Sequence, residues 1–270
     1  MWEDDVESGA RRKVAWLIGI VAAAALGFGG WYWYSSGHRA AEPVAVAPTP
    51  PPAPAAPEPQ ISHPIAGDSA AAAAALPALN DSDQVVHDSL AGVIGRHPVE
   101  QFLVPQNIVR HIVATVDNLP RRKVAVDLRP VKPTAGTSVI STQGDITTLG
   151  EANFARYTPL VKTIEATDMK SLAVVYERLY PLFQQSYEDL GYPGKYFNDR
   201  LVEVIDNLLQ TPEVAGPIKL VQPKVFYEYA DEDLEARSAG QKLLLRMGPA
   251  NERAVKAKLR EFRAEIVKKK

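Results

Sequence analysis

The chain has 270 residues, a formal net charge of −2 and no cysteine. The absence of thiols excludes disulfides, thiol catalysis and cysteine-based zinc sites. From residue 77 onward the basic and acidic residues nearly balance, 26 against 25, so we expect no nucleic-acid partner.

Residues 14–34 form an uncharged, apolar stretch. At about 1.5 Å per residue, a helix of this length covers a hydrocarbon core of roughly 30 Å, which predicts a transmembrane helix. Three cations at 11–13 precede the stretch and aromatic residues at 31–34 end it. The positive flank predicts that the tail 1–13 is cytoplasmic and that the bulk of the chain lies across the membrane. Two alternatives stay open: a cleaved signal peptide, which the length disfavours, and the reverse topology.

Within this stretch Gly19, Ala23 and Gly27 recur every four residues on one helix face. Small residues at this spacing let two membrane helices approach closely, so they offer a contact for a homodimer. The simpler interpretation is that Gly and Ala are common in membrane helices.

Residues 35–76 are rich in proline and alanine. Proline removes a backbone donor and favours polyproline II, so we predict a disordered linker that acts as a spacer. Proline-rich segments also serve as ligands of aromatic grooves. Because no basic residue flanks these prolines, the spacer interpretation is favoured.

Residues 77–270 predict one compact, mainly helical domain. The helix signals are caps at 81–83, Asp168 and Ser238, first-turn prolines Pro98, Pro105, Pro159 and Pro249, a long helix to Leu190 that contains Pro181, and an amphipathic helix from Tyr196 to Leu209. Residues 138–149 predict a hairpin, 124–133 an extended segment and 220–229 one or two short strands. The predicted fold class is mainly α: a single transmembrane helix, then a compact multi-helix domain with a minor β-hairpin and extended part.

No motif of a known catalytic centre is present. The sequence lacks G-x-S-x-G, H-E-x-x-H and phosphate-loop patterns. His87, His97 and His111 lie on different predicted helices without a diagnostic metal-ligand spacing. We therefore predict no catalytic residue, no metal and no cofactor.

The candidate binding surface follows the long helix, where aromatic and polar side chains crowd a Pro-Gly turn. Its residues are Tyr192, Lys195, Tyr196, Phe197, Asn198, Asp199 and Arg200. Aromatic residues and Arg dominate protein-binding surfaces. The alternative is a hydrolase acting on an envelope polymer, with Asp199, Glu203 or Asp206 as acid or base. A solvated helix face is the simplest interpretation. The basic end of the chain, 251–270, would suit an anionic surface, although such ends are usually solvated.

Five runs of the chain are long and distinctive: TVDNLPR (115–121), RYTPLV (156–161), RLYPLFQQSYEDLGYPGKYFNDRLVEVIDNLL (178–209), TPEVAGPIKLVQPKV (211–225) and SAGQKLLLRMG (238–248). Over residues 76–263 the chain resembles the bacterial domain of unknown function 3014. The resemblance implies a Gram-negative envelope protein with one membrane helix, a linker and one soluble domain, and it supplies no activity, cofactor or catalytic residue.

The expected location is therefore the bacterial inner membrane, with the folded domain in the periplasm. We expect a non-catalytic interaction or scaffold module of the cell envelope. Its expected partners are the lipid bilayer and an envelope protein that the sequence does not identify.

Overall fold

The computed structural model describes residues 61–65, 70–123 and 125–267. In this part the chain is mainly helical with one small antiparallel sheet. The helices are α1 (Ala70–Ala74), α2 (Asp83–Ile94), α3 (Arg96–Phe102), α4 (Ile108–Asn118), α5 (Glu151–Phe154), α6 (Thr158–Ala166), α7 (Met169–Asp189), α8 (Phe197–Leu209), α9 (Glu232–Glu235), α10 (Ala239–Met247) and α11 (Pro249–Ile266). The strands are β1 (Ile140–Gln143), β2 (Ile146–Leu149), β3 (Ile218–Val221) and β4 (Glu228–Tyr229).

The predicted fold class is corrected in its first part, the transmembrane helix. Among the described residues, no helix combines the length and the apolar character needed to cross a membrane. The longest, α7, has 21 residues but carries five charged side chains. The stretch on which the prediction was based, 14–34, lies outside the described residues, as do the tail 1–13 and the dimer contact at Gly19, Ala23 and Gly27.

Local hydrogen bonds explain several helix boundaries that the sequence predicts. The Asp168 carboxylate accepts the backbone N–H groups of Lys170 and Ser171 at the start of α7. A capping box between Ser238 and Gln241 begins α10. Each cap satisfies donors that would otherwise lack an intrahelical partner. These predicted helix starts are confirmed.

The predicted cap at 81–83 works differently. The Asp83 carboxylate accepts the N–H groups of Asn107 at 2.7 Å and Ile108 at 2.9 Å. It therefore caps α4, a helix distant in sequence, rather than the helix that it begins. Periodicity along one helix cannot reveal such a tertiary cap.

Helix α7 lies at the centre of the main hydrophobic cluster, packed against α4, α8 and α11. Its aromatic side chains form a continuous network that includes an edge-to-face pair of Tyr176 and Tyr180 and a stacked pair of Phe183 and Phe197. Helix α8 is buried on two sides, because Ile205 joins this cluster while Val204 joins a second one with α6 and α10. Packing on two sides fixes the position of α8, whose amino end borders the candidate site.

The predicted hairpin and the predicted short strands near 220–229 are confirmed, and they pair into one sheet. Strands β1 and β2 form the predicted hairpin, with Gln143 opposite Ile146. Strand β2 also pairs with β3, with Thr147 opposite Leu220, and β3 pairs with β4, so all four strands form one antiparallel sheet in the order β1-β2-β3-β4. The segment expected to be extended contains a 3-10 turn at Val126–Leu128. The sequence could not show the sheet because the β2–β3 pairing joins distant segments.

Candidate functional site

An open groove of about 710 Å³ lies along the amino end of α8. We call it the α8 groove. Five of the seven residues of the predicted binding surface line it: Tyr192, Lys195, Tyr196, Asp199 and Arg200. The structure therefore brings most of the predicted surface together around one concavity, of a size typical of ligand-binding clefts.

The other two predicted residues are interior. Phe197 is 1% exposed and Asn198 is fully buried. Their side chains are not accessible to a partner. Phe197 packs in the main hydrophobic cluster, and Asn198 makes hydrogen bonds in the interior. The Asn198 amide donates to the backbone carbonyls of His63 at 2.9 Å and Ile266 at 3.2 Å, and its oxygen accepts from the Tyr176 hydroxyl at 3.1 Å.

The amino end of α8 is capped by side chains of α7. The Gln184 side-chain oxygen accepts the N–H of Phe197 at 2.9 Å, and the Tyr180 hydroxyl oxygen accepts that of Asn198 at 3.2 Å. Burial raises the pKa of Tyr180 far above its usual value, so its hydroxyl stays protonated and donates to Gln184. These bonds satisfy the first two N–H groups of α8 and fix its amino end beside the groove.

A buried carboxylate organises one wall of the α8 groove. Asp117, on α4, is 3% exposed. Its oxygens accept from Arg200 Nε at 3.1 Å, from an Arg121 terminal nitrogen at 2.5 Å and from the Tyr192 hydroxyl at 3.1 Å. A second Arg200 nitrogen donates to the Asp117 backbone carbonyl at 2.8 Å. Three chain segments thus converge on one charge.

Arg200 also pairs with Glu203 at 2.9 Å. Burial acts to lower the pKa of Arg200, but the hydrogen bond to Glu203 and the charges of Glu203 and Asp117 outweigh it and raise the pKa. The guanidinium therefore stays charged and is held in one orientation. Its side chain is 18% exposed, which leaves part of it facing the groove.

Aromatic rings form the adjacent wall. Tyr187 and Tyr192 stack with centroids 4.7 Å apart, and the Lys195 ammonium lies 5.7 Å from the Tyr192 ring centroid. Burial is the main cause that raises the pKa of Tyr187. The arrangement combines flat apolar surface with two cations, the chemistry that favours binding of a peptide or another polar-apolar ligand.

The chain itself occupies the edge of the groove. We call residues 61–65 the strap. The Asp199 carboxylate accepts the N–H groups of Ser62 at 3.0 Å and His63 at 2.7 Å, and the Tyr196 hydroxyl oxygen accepts that of Ile65 at 2.9 Å. The strap belongs to the range 35–76 that the sequence predicts as linker, and its described residues contact the folded domain.

Of the three carboxylates of the hydrolase alternative, the structure places two in the groove and one apart from it. Asp199 and Glu203 line the groove, while Asp206 is bound by Arg263 through contacts of 2.6 Å and 2.8 Å. Asp199 already accepts two backbone donors, and Glu203 is mostly exposed beside Arg200. No described carboxylate of this trio stands in an apolar enclosure of the kind that prepares a general acid.

Metal-ligating side chains do not gather in the described ranges, where no group of three or more His, Cys, Asp or Glu residues could hold an ion. The basic helix α11 uses several of its cations internally. Lys256 is buried and donates to the Thr211 carbonyl at 2.7 Å, and Lys258 donates to the Thr167 carbonyl at 3.1 Å. An anionic surface would meet fewer free cations there than the sequence suggests.

Sequence reasoning missed Asp117, Gln184 and Tyr187 as parts of the site. Asp117 did leave a signal, since it lies four residues after Val113 on the buried face of an amphipathic helix. A charge at such a position needs a partner. Apart from Pro64, which follows His63, no sequence feature predicts that the strap contacts the groove.

The model of a family described as "Protein of unknown function (DUF3014)" matches residues 108–263. No curated protein and no solved structure matches the chain.

Proposed function

Because the chain belongs to this family, whose description assigns no activity, we propose from the geometry that it is a non-catalytic interaction module whose α8 groove binds a protein partner. The observation that carries the proposal is the groove wall: Arg200 and Tyr192, which line the groove, both bind the buried Asp117. Side chains held in this way lose little conformational entropy when a ligand binds.

The composition of the groove favours a protein ligand. Tyr and Arg are enriched at the energetic centres of protein interfaces. Here Tyr192 and Arg200 are held by part-buried hydrogen bonds to Asp117, and the charged Lys195 and Glu203 also line the groove. The cell envelope as the location and an envelope protein as the partner stay predictions from the sequence. The hydrolase alternative has less support, because Asp206 lies apart from the groove in its pair with Arg263.

Site-specific photo-crosslinking tests the proposal. A benzophenone amino acid replaces Lys195, an exposed groove residue, and the full chain is expressed in the organism from which it comes. The control carries the same probe at Val174, an exposed position on α7 that does not line the groove. We expect a discrete protein adduct from position 195 that is absent from position 174. Identical adduct patterns from both positions, or none from position 195, would contradict the proposal.

A second substitution identifies the groove as the cause. Tyr192→Ala removes a ring of the aromatic wall and should reduce the adduct from position 195. Tyr227→Ala is the matched control, since this exposed tyrosine lies near the sheet, away from the groove.

A further inference from the structure

The strap shows which chemistry the α8 groove recognises. We infer that the partner presents a short non-helical peptide, in which two consecutive free N–H groups precede a proline and an aliphatic residue, and that the strap occupies this site until the partner displaces it. This inference rests on the proposed function and names its ligand.

The Asp199 carboxylate accepts hydrogen bonds from two adjacent backbone N–H groups of the strap. Both oxygens of Asp199 are used, one for Ser62 and one for His63. Hydrogen bonds to an ionised acceptor are stronger than neutral ones. Since they involve only main-chain atoms, they would serve any peptide with two free N–H groups at these places.

Proline fits the next position because the site requires no donor there. The bonds to the strap come from residues 62, 63 and 65, and the His63 carbonyl accepts from Asn198 at 2.9 Å. Pro64 has no N–H to leave unsatisfied, and its fixed φ lowers the entropy lost when the segment is ordered.

An aliphatic anchor completes the pattern. Ile65 is 8% exposed and belongs to the main hydrophobic cluster, and its N–H donates to the Tyr196 hydroxyl. Ile61, by contrast, is half exposed and faces the open groove. The strap is thus held at one buried side chain and four backbone hydrogen bonds, with no regular secondary structure.

The groove continues beyond the strap, toward Lys195, Arg200 and Glu203. A partner peptide with the same anchor pattern can therefore make the strap contacts and additional contacts to these charged side chains. The strap has a high effective concentration because it is tethered to the site. The additional contacts allow a partner peptide to replace it despite this advantage.

The test uses the full chain with Ser62→Pro and His63→Pro combined. These substitutions remove both N–H groups that Asp199 accepts and leave every groove side chain unchanged. The matched control, Ser62→Ala with His63→Ala, keeps both groups. The probe is a fluorescein-labelled peptide with the sequence of residues 58–67, and its binding is followed by anisotropy.

We expect the peptide to bind the proline variant at least about tenfold more tightly than the alanine control, because a displaced strap leaves the site free. A peptide with proline at both strap positions should lose this affinity. Equal affinities for the two variants, or no binding to either, would overturn the inference.

Amide hydrogen exchange in the unmodified chain is a second test, which does not depend on whether the proline variant folds. The N–H groups of Ser62, His63 and Ile65 should exchange at least about tenfold faster than that of Ile205 in α8, through local opening of the strap. Exchange of all four at one common rate would show that the strap opens only with the whole fold, and would overturn the inference.

The two proposals fail in different ways. If position 195 gives no adduct, the groove has no protein partner, whatever the peptide does. If the adduct forms but the proline variant gains no affinity for the peptide, the groove binds its partner through other chemistry.

Discussion

Replacing Asp117 with Asn tests whether a single buried charge organises the groove wall. The substitution keeps the shape of the side chain but removes the charge that Arg200 and Arg121 share. Removing one member of a buried ion pair costs roughly 3–5 kcal/mol. Because both guanidinium groups keep some contact with water, we expect a loss near the lower limit, about 3 kcal/mol in the free energy of unfolding.

For a folded part of this size, such a loss lowers the Tm by about 6–12 °C. The measurement is urea denaturation of the purified full chain, followed by circular dichroism at 222 nm. Asp189→Asn is the matched control, since Asp189 forms an exposed pair with Arg110 at 3.1 Å and should cost less than about 1 kcal/mol. If the two variants differ by less than about 1 kcal/mol, Asp117 is not the structural centre described here.

Three further outcomes are expected. Gly248→Ala should lower the free energy of unfolding by more than about 3 kcal/mol in urea denaturation, because φ is +81° at this position and the new methyl group overlaps the Phe154 ring. The control Gly144→Ala lies in open space at the hairpin tip and should lower it by about 1–2 kcal/mol. Ser238→Ala removes the capping box of α10 and should cost about 1 kcal/mol in the same assay. Burial raises the pKa of Tyr229 to about 12, while the phenol of the unfolded chain ionises at about pH 10. Between these two pH values the folded state binds more protons than the unfolded chain, so the free energy of unfolding should fall as the pH rises. In Tyr229→Phe this fall should be less steep. Urea titrations at each pH measure both slopes. A negligible cost for Gly248→Ala or Ser238→Ala, or an identical pH slope for Tyr229→Phe, would contradict the respective argument.

Helices were predictable from the sequence where the signal is local. Asp168 and Ser238 bind donors within their own helices, so the pattern of neighbouring residues suffices. The four-stranded sheet and the Asp83 cap of α4 depend on contacts between distant segments. Local patterns carry no information about such partners.

The candidate site was predictable in part for the same reason. Tyr192, Lys195, Tyr196, Asp199 and Arg200 are close in sequence, and the turn before α8 keeps them together in space. Phe197 and Asn198 share that stretch, yet the rotation of α8 points them inward. Asp117 and the strap reach the groove only through the tertiary fold, since they lie on segments far from α8 in sequence.

The central claim is that the α8 groove is the interaction surface and that the strap competes for it. The most direct measurement is the yield of the adduct from position 195 in the strap variant carrying Ser62→Pro and His63→Pro, relative to the alanine control. We predict a yield several-fold higher in the proline variant, since the partner no longer has to displace the strap. An equal or lower yield, with the fold unchanged by circular dichroism, would contradict the account.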